Sequence, residues 1–290
     1  MDNMVTNAYT VLLFTKDDAE RVEMVLKNFV NVAQVIILDG GSSDNTESVA
    51  AKYGAKFVRR PVFDHFGHIA KPFAEWALAQ SPTEYVYISY CSHFVPKELL
   101  SKFREVAELK SHKAIRHGYY CITYGRYVER SFEFRKSKIS HFFSKDAVDL
   151  NKSRMHDEWP VVVPKKMALM LPPSDKFSLH VFRDYDTSWT EVKHNMYGDV
   201  EAKQRFEFGE RTSASKMISK SIREFVEGYL FRKGFLGGLP GFLYHMWRAQ
   251  MIFNIQARIW EYQNGLSRVE ARSIQAKQRN DMLNKLKLSN

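Results

Sequence analysis

The stretch that decides the fold class is Val35-Ile36-Ile37-Leu38-Asp39-Gly40-Gly41-Ser42-Ser43-Asp44-Asn45-Thr46. Its four leading apolar residues predict a buried strand. A turn follows over residues 39–43, and Asp44 with Glu47 three positions later is typical of a helix start. A strand, a tight turn and a helix in this order indicate an α/β protein, in which helices connect parallel strands.

The same alternation continues on both sides of this stretch. Strands are predicted over residues 10–14, 55–58 and 85–90, and apolar residues at helical spacing follow the first of them. Helices are predicted over residues 69–80 and from Pro96 onward. Parallel sheets bind ligands outside the carboxyl ends of their strands. The first candidate binding residues are therefore those that end the first two strands: Thr15, Lys16, Asp39 and Ser42.

The pattern changes after the first hundred residues. Aromatic and arginine-rich runs over residues 115–124 and 126–135 predict antiparallel strands, with a short strand at 141–144. Beyond Pro172 the periodicity predicts helices over residues 187–208, 214–229 and 242–262, and a frayed polar end over 275–290. We therefore expect an α/β core in residues 1–172 and a helical region in residues 173–290.

Composition limits the classes of protein. The chain has 290 residues, of which 44% are hydrophobic and 26% charged, so we expect a folded protein with a sizeable core. The net charge of +10 favours phosphate-bearing partners, although a merely solvated basic surface gives the same value. No helix-turn-helix or RNA-binding motif accompanies the charge, so nucleic acid is not an expected partner.

Cysteine and histidine usage gives no sign of a disulfide framework or a zinc site. Cys91 and Cys121 are the two cysteines, and the spacing of His65, His68 and His93 matches no familiar ligand set. The first nine residues contain no apolar signal run, and no stretch of about 18 uncharged apolar residues exists. These features favour a cytoplasmic location.

The quoted stretch also resembles the second strand and turn of family 2 glycosyltransferases, which have the GT-A fold. In that family an apolar strand ends in an aspartate, followed by a small-residue turn and Ser-x-Asp-x-Thr. The basic turn Arg59-Arg60-Pro61 and the segment Val95-Pro96-Lys97-Glu98-Leu99 also resemble the family. The resemblance covers roughly residues 9 to 262, with the N-terminal part more specific. A capped strand-to-helix turn without any ligand is the structural alternative for the turn alone.

Segments of the C-terminal half look like a subgroup that acts on bacterial lipopolysaccharide core and related surface glycans. They are Lys193-His194-Asn195-Met196-Tyr197 and the glycine-rich residues 228–238. The resemblance implies an inverting transferase that takes a nucleotide-sugar donor, with UDP-sugars favoured, and a glycan or lipid-linked acceptor. The alternative is a catalytically degenerate protein that binds nucleotide sugars or glycans.

The main departure from the family concerns the metal. Family members usually carry Asp-x-Asp before the Val95-Pro96 segment, and its carboxylates hold Mg²⁺ or Mn²⁺. Here Tyr90-Cys91-Ser92 stands in that place, followed by His93. We expect no metal site and no cofactor, with side-chain cations stabilising the leaving diphosphate instead. A weakly held Mg²⁺ or Mn²⁺ remains the alternative.

Catalysis with inversion needs a base that takes the proton of the acceptor hydroxyl. The family resemblance directs this role to Met155-His156-Asp157-Glu158-Trp159, where Asp157 is slightly favoured over Glu158. A solvated acidic loop is the structural alternative.

Several side chains are candidates for contacts to the donor or acceptor. Arg60 and Lys71 join the nucleotide-binding set, and the diphosphate or acceptor set consists of Tyr90, Ser92, His93, Arg126, Arg130 and His180. The alternative interpretation of each arginine is an ordinary surface cation, and the alternative interpretation of His180 is a histidine buried in the core.

The C-terminal helices combine basic residues with bulky apolar ones. Such a composition suits a helix lying in a membrane interface, and it suits packing on the core or on a second copy equally well. The expected partners are therefore the donor and acceptor, the inner membrane as a peripheral surface, and a homodimer.

Overall fold

The computed structural model describes residues 8–61, 71–130, 140–153, 159–184 and 186–288. The predicted bases Asp157 and Glu158 lie outside these residues. The chain divides into two compact units, Met1–Asp184 with Arg232–Gly241 and Tyr185–Phe231 with Phe242–Asn290.

The first unit alternates strands and helices as the apolar pattern predicts. Its elements are β1 (Tyr9–Thr15), α1 (Ala19–Phe29), β2 (Gln34–Asp39), α2 (Thr46–Lys52), β3 (Lys56–Arg59), α3 (Lys71–Ala79), β4 (Tyr85–Tyr90), β5 (His93–Phe94), α4 (Lys97–Leu109), β6 (Ala114–Arg116), β7 (Gly118–Thr123), β8 (Arg126–Arg130), β9 (Phe142–Ser144), β10 (Ala168–Met170) and β11 (Ser178–Arg183).

Within the described residues, the strands of this unit form two sheets. The larger has the order β10-β6-β9-β4-β1-β2-β3, and only β9 runs antiparallel to its neighbours. The smaller has the order β5-β11-β7-β8, with β11 parallel to β7 and the other pairs antiparallel. The predicted α/β class with a mostly parallel sheet is therefore confirmed.

Alternate residues of β1 reach opposite faces of the larger sheet, as the pleat requires. Val11 and Leu13 join a core cluster with apolar residues of α1 and α4, whereas Leu12 packs on the other face with residues of α3. All three side chains are fully buried. Burial on both faces explains why β1 and β2 are continuous apolar runs.

The second unit is helical. It contains α5 (Thr187–Glu207), α6 (Ala214–Val226), a π-helical turn (Glu227–Phe231), most of α7 (Leu239–Gln263) and α8 (Arg268–Leu288). Ala202, Ile255 and Ile259 form its buried cluster between α5 and α7. The predicted helical C-terminal region is thus present. No helix in the described ranges is long and apolar enough to cross a membrane.

The structure corrects three predictions from the sequence. Residues 115–124 form two strands, β6 and β7, that belong to different sheets. The chain beyond Pro172 first forms β11, which pairs with β7, so the predicted boundary at residue 172 differs from the division after Asp184. Most of the end predicted to fray, over residues 275–290, lies in α8, whose described side chains are all exposed.

Candidate functional site

The turn after β2 is organised by the Asp39 carboxylate. Asp39 is fully buried, and its Oδ2 accepts hydrogen bonds from the backbone N–H groups of Gly41 and Ser42, each at 2.9 Å. Its Oδ1 accepts the Ser42 hydroxyl at 2.5 Å. An ionised carboxylate has about four acceptor positions, so these three bonds leave little unused capacity. Asp39 therefore holds the shape of the turn before any ligand arrives.

Gly40 lies where two strand ends meet. β1 and β2 are paired so that Thr15 is opposite Asp39, and Gly40 N–H donates to the Thr15 carbonyl at 2.8 Å. A side chain at Gly40 would place its Cβ 3.1 Å from Lys16 Cβ, 3.2 Å from Thr15 O and 3.4 Å from Arg60 Nε. The structure therefore brings Thr15, Lys16 and Arg60 together around a glycine, which permits close approach to the backbone.

A second arginine lies beside this turn. Arg59 Nη1 lies 3.8 Å from Asp39 Oδ2, and Arg59 Nη2 pairs with Glu47 at 2.8 Å. Its side chain is more than half exposed, so the guanidinium is accessible to an anion. Lys16, Arg59 and Arg60 place three cations at the carboxyl ends of β1–β3, beside the carboxylates of Asp39 and Glu47.

Two aspartates that the sequence analysis did not select as site residues join the loops after β1 and β2. Asp17 Oδ1 accepts Ser43 N–H at 2.7 Å, and Asp44 Oδ2 accepts Ala19 N–H at 3.0 Å. Hydrogen bonds from Ser43 lower the pKa of Asp17, and the Thr46 hydroxyl lowers that of Asp44. Both carboxylates therefore act as fixed acceptors that connect the two loops. The Ser-x-Asp-x-Thr pattern was the sequence signal for Asp44.

The end of β4 lacks the chemistry of a divalent-metal site. The Tyr90 ring packs against Phe14 and His93 at centroid distances of 5.8 and 5.2 Å. Burial raises the pKa of the Cys91 thiol to about 12, so it remains protonated at neutral pH. Hard cations prefer several oxygen ligands. Within the described ranges no group of three His, Cys, Asp or Glu side chains is placed to hold a metal ion.

An ion cluster that the sequence analysis missed lies near Cys91. Arg21 forms two 2.6 Å hydrogen bonds with the Asp18 carboxylate, and its Nη1 lies 3.0 Å from Asp184 Oδ1. The Asp18 charge also contributes to the raised pKa of Cys91, after burial. Asp184 follows β11, whose Phe182 N–H donates to the Ser92 carbonyl at 2.7 Å. The Asp-x-x-Arg spacing in the first turn of α1 was the available signal.

His93 lies in the protein core, which does not support the predicted diphosphate contact. It is 7% exposed, and its Nδ1 lies 3.2 Å from the Tyr87 hydroxyl. The His93 ring is 5.0 Å from that of His141, which is 6.1 Å from that of His117. Burial lowers the pKa of His93 to about 3 and also lowers those of His117 and His141. These three histidines form a neutral cluster inside the first unit.

The smaller sheet brings two other candidates together. Arg130 on β8 lies over the rings of Tyr127 and Tyr120 at 4.8 and 5.7 Å, and the His180 ring lies 5.4 Å from that of Tyr120. Arg126 begins the same strand opposite Thr123 and is exposed. Arg130 and His180 therefore belong to one aromatic surface.

Lys71 begins α3 and contacts residues other than those of the turn after β2. Its Nζ donates to Asn151 Oδ1 at 2.8 Å and lies 3.6 Å from Glu75 Oε1. Among the described contacts none joins it to Asp39, so its nucleotide-binding role remains a prediction.

The chain has sequence relatives among known proteins, although no family model matches it. An uncharacterized glycosyltransferase of Rickettsia conorii is 24% identical over 84% of this chain and 86% of its own length. A second, from Rickettsia bellii, is 23% identical over 84% of this chain and 83% of its own.

Two solved structures are also similar to the chain. Glucosyl-3-phosphoglycerate synthase from Mycobacterium tuberculosis, in complex with Mn²⁺ and UDP, is 16% identical, with 72% of this chain and 82% of that chain covered and a TM-score of 0.45. S. aureus TarS is 14% identical, with 90% and 92% covered and a TM-score of 0.46. Both curated relatives are named glycosyltransferases, which agrees with the class of enzyme that the sequence predicts for this chain.

Proposed function

We propose that the protein transfers a sugar from a nucleotide-sugar donor, with a UDP-sugar favoured, to a bacterial surface glycan of the lipopolysaccharide or capsule type, with inversion at the anomeric carbon. The observation that carries the proposal is the turn after β2, where buried Asp39 fixes a glycine-containing turn between two parallel strand ends. This is the position at which α/β sheets bind nucleotides.

The nucleoside of the donor would lie against this turn. The exposed residues Gly41 and Lys16 would contact it, and the buried Asp39 carboxylate holds the turn in the shape that this contact needs. Thr15 and Ser42 line the same strand ends. Because the turn is already hydrogen-bonded, little ordering accompanies binding, which favours affinity.

The leaving diphosphate would be stabilised by side-chain cations. Lys16, Arg59 and Arg60 surround the turn, and guanidinium groups bind phosphate oxygens through two parallel hydrogen bonds. Tyr90, Cys91 and Ser92 do not fit a hard divalent ion, because no carboxylate stands among them. Transfer without a metal therefore belongs to the proposal, and no step is assigned to one.

The acceptor hydroxyl needs a base, and we assign this role to Asp157 or Glu158. We expect Asp157→Asn or Glu158→Gln to abolish transfer and to preserve donor binding, because each change removes the proton acceptor at nearly constant size. Full transferase activity in both variants would move the base elsewhere.

The experiment that tests the proposal measures donor binding and donor hydrolysis with and without EDTA. We expect UDP-sugars to raise the melting temperature, because a ligand that binds the native state stabilises it by mass action. Slow release of UDP that persists in EDTA supports the proposal. Loss of all activity on chelation, with full recovery on adding Mn²⁺, would contradict its metal-independent part.

A second candidate function is a glycan-binding or nucleotide-sugar-binding protein without catalysis. The segment Tyr90-Cys91-Ser92 favours it, since these residues replace the usual metal ligands. Donor binding without detectable hydrolysis or transfer would support this alternative. The helical region, residues 173–290 in the sequence-based division, would contact the acceptor, the membrane or a second copy in either case.

A further inference from the structure

A row of side chains crosses the smaller sheet on one face. The strand register sets Phe94 opposite His180, His180 opposite Tyr120, and Tyr120 opposite Arg130. Directly opposed residues share a face. Phe94 and Tyr120 contact the His180 ring edge-to-face at 6.1 and 5.4 Å, which shows that the row is in contact from β5 to β7.

A register shift adds Tyr127 to this row. Tyr127 and Arg130 are three residues apart and would reach opposite faces of a regular strand. The ladder is irregular at Cys121/Ile122, so Tyr127 pairs with Ile122 while Arg130 pairs with Tyr120. The Tyr127 ring consequently lies 5.8 Å from Tyr120 and 5.9 Å from His180. Bulges of this kind redirect side chains and are frequent near active sites.

The six residues Phe94, Tyr120, Tyr127, Arg130, His180 and Phe182 are here called the aromatic face. Phe94, Tyr127 and Phe182 are 46%, 36% and 49% exposed, which is unusual for large apolar side chains on neighbouring strands. The opposite side of the sheet is buried, with Leu179 in the core cluster of the larger sheet. The aromatic face is therefore supported from behind and accessible in front at Phe94, Tyr127 and Phe182, whereas Tyr120 at its centre is 4% exposed.

Neighbouring charged residues of β8 lie on opposite sides of the smaller sheet. Glu129, one residue before Arg130, points to the buried side, where its carboxylate accepts the Tyr119 hydroxyl at 2.7 Å and pairs with Arg232 at 2.5 Å. Arg130 has no carboxylate partner among the described residues, and it lies over two tyrosine rings instead. Burial lowers the pKa of His180, so this ring is neutral at pH 7. Arg130 is thus the cation of the aromatic face, and the Asp175 carboxylate, which interacts with Tyr120 and His180, is the acidic group beside it.

We propose that the aromatic face binds one acceptor sugar ring that carries an acidic substituent, a phosphate or a carboxylate. The C–H faces of a pyranose pack on aromatic rings, whose electron-rich faces attract polarised hydrogens. The guanidinium of Arg130, which lies over two tyrosine rings, matches the geometry of a phosphate or carboxylate. The face also begins close to Ser92, one of the predicted diphosphate or acceptor contacts, because Phe94 follows Ser92 by two residues and the Phe182 N–H donates to the Ser92 carbonyl. The inference rests on the proposed glycosyltransferase function and names its acceptor class.

The test measures binding of two small probes, glucose 6-phosphate and methyl glucoside, to the full chain by saturation-transfer NMR and calorimetry. We expect glucose 6-phosphate to bind more tightly than methyl glucoside. Tyr127→Leu and Arg130→Gln should each weaken its binding by about tenfold, the size of one lost stacking or ionic contact. Tyr127→Phe keeps the ring and should bind within about twofold of the unaltered protein. Glucuronic acid, as a third probe, distinguishes a carboxylate from a phosphate.

Two control variants separate local from general effects. Lys56→Gln removes an exposed cation at the start of β3, and Tyr124→Ala removes an exposed ring from the β7–β8 turn. Both should bind the probes like the unaltered protein. Equal affinity of all variants for glucose 6-phosphate, or the absence of probe binding, would overturn the inference. Circular dichroism and melting temperature identify a variant that has failed to fold, and if Tyr127→Leu is such a variant, the affinity of Arg130→Gln decides.

Donor measurements keep this inference distinct from the proposed function. UDP-sugar binding and hydrolysis should be unchanged in Tyr127→Leu, since the aromatic face contacts the acceptor alone. Unchanged donor binding together with unchanged probe binding in Tyr127→Leu would contradict the aromatic face and leave the glycosyltransferase proposal intact. Absence of donor binding in the unaltered protein would contradict the proposed function itself, whereas probe binding reports on the aromatic face in either case.

Discussion

At the scale of single residues, Asp39 has a structural role that precedes any role in binding. Its carboxylate accepts two backbone N–H groups and a hydroxyl in a fully buried turn. The sequence alone predicts that Asp39→Ala lowers nucleotide affinity and leaves folding intact. The hydrogen bonds indicate that stability and affinity depend on the same carboxylate.

We predict that Asp39→Ala lowers the free energy of unfolding by about 2–3 kcal/mol, because it leaves buried donors without an acceptor. Nucleotide affinity should fall as well, since the turn loses its shape. Urea unfolding and calorimetry with UDP measure the two effects. Asp44→Ala, which removes the loop connection to Ala19, is the comparison. Unaltered stability of Asp39→Ala would show that the turn does not depend on its carboxylate.

The buried histidines make a second prediction at this scale. Because burial lowers the pKa values of His93, His117 and His141 below the ordinary 6.5, the unfolded chain binds protons before the folded one as the pH falls. Stability should therefore be lost from about pH 6.5 downward, by about 1.4 kcal/mol per pH unit for each histidine. Chemical denaturation between pH 7 and 5 measures this slope.

A single substitution tests the assignment to the cluster. His141→Gln should reduce the slope by about one proton, or about 1.4 kcal/mol per pH unit. Identical slopes in the unaltered protein and His141→Gln would refute the prediction.

At the scale of elements, local patterns were sufficient where burial alone determines structure. The apolar runs at residues 10–14 and 35–38 predicted β1 and β2. The carboxyl ends of these strands identified Thr15, Asp39 and Ser42, which the structure brings to one edge. Partner choice could not be predicted in this way. β6 and β7 come from one continuous run of the sequence but join different sheets. His93, His117 and His141 come together only through that arrangement. The register shift that places Tyr127 on the same face as Arg130 also depends on how β7 and β8 pair, which a local pattern does not predict.

The π-helical turn after α6 allows a specific prediction. Gly228 lies so close to the buried His245 that a Cβ on it would be 2.1 Å from the ring Nδ1. Gly228→Ala should therefore lower the free energy of unfolding by about 1–3 kcal/mol through overpacking. Thermal denaturation measures the loss.

The double variant Gly228→Ala/His245→Ala removes the clash. We expect it to be less destabilised than the sum of the two single variants, with a coupling energy of about 1 kcal/mol or more. Additive effects of the two changes would mean that position 228 requires glycine for another reason, such as its backbone conformation.

At the scale of the whole molecule, the net charge of +10 and the exposed apolar side chains of the second unit are the features behind the prediction of peripheral membrane contact. Ile218 and Ile222 lie one turn apart on α6 and are 55% and 58% exposed, and Phe231 is 74% exposed. Lys216 and Arg223 are exposed on the same helix. Bulky apolar residues beside cations suit the interface of an anionic membrane, where apolar burial and headgroup attraction add. We therefore expect peripheral membrane contact to be the primary role of this surface, with a homodimer as the alternative.

We predict that the protein co-sediments with vesicles containing phosphatidylglycerol more strongly than with phosphatidylcholine vesicles, and less strongly as salt rises, since ions screen exposed charges beyond about 10 Å at 0.1 M. The triple variant Ile218→Ser/Ile222→Ser/Phe231→Ser should bind at least about tenfold more weakly, because about 1.4 kcal/mol of lost apolar burial has that effect. Leu109→Ser, which removes an equally exposed apolar side chain from the end of α4, should bind normally. Equal partitioning of the triple variant and the unaltered protein would contradict the prediction. If light scattering instead gives twice the mass of one chain, and the triple variant is monomeric, the same residues form a dimer interface and the membrane assignment is wrong.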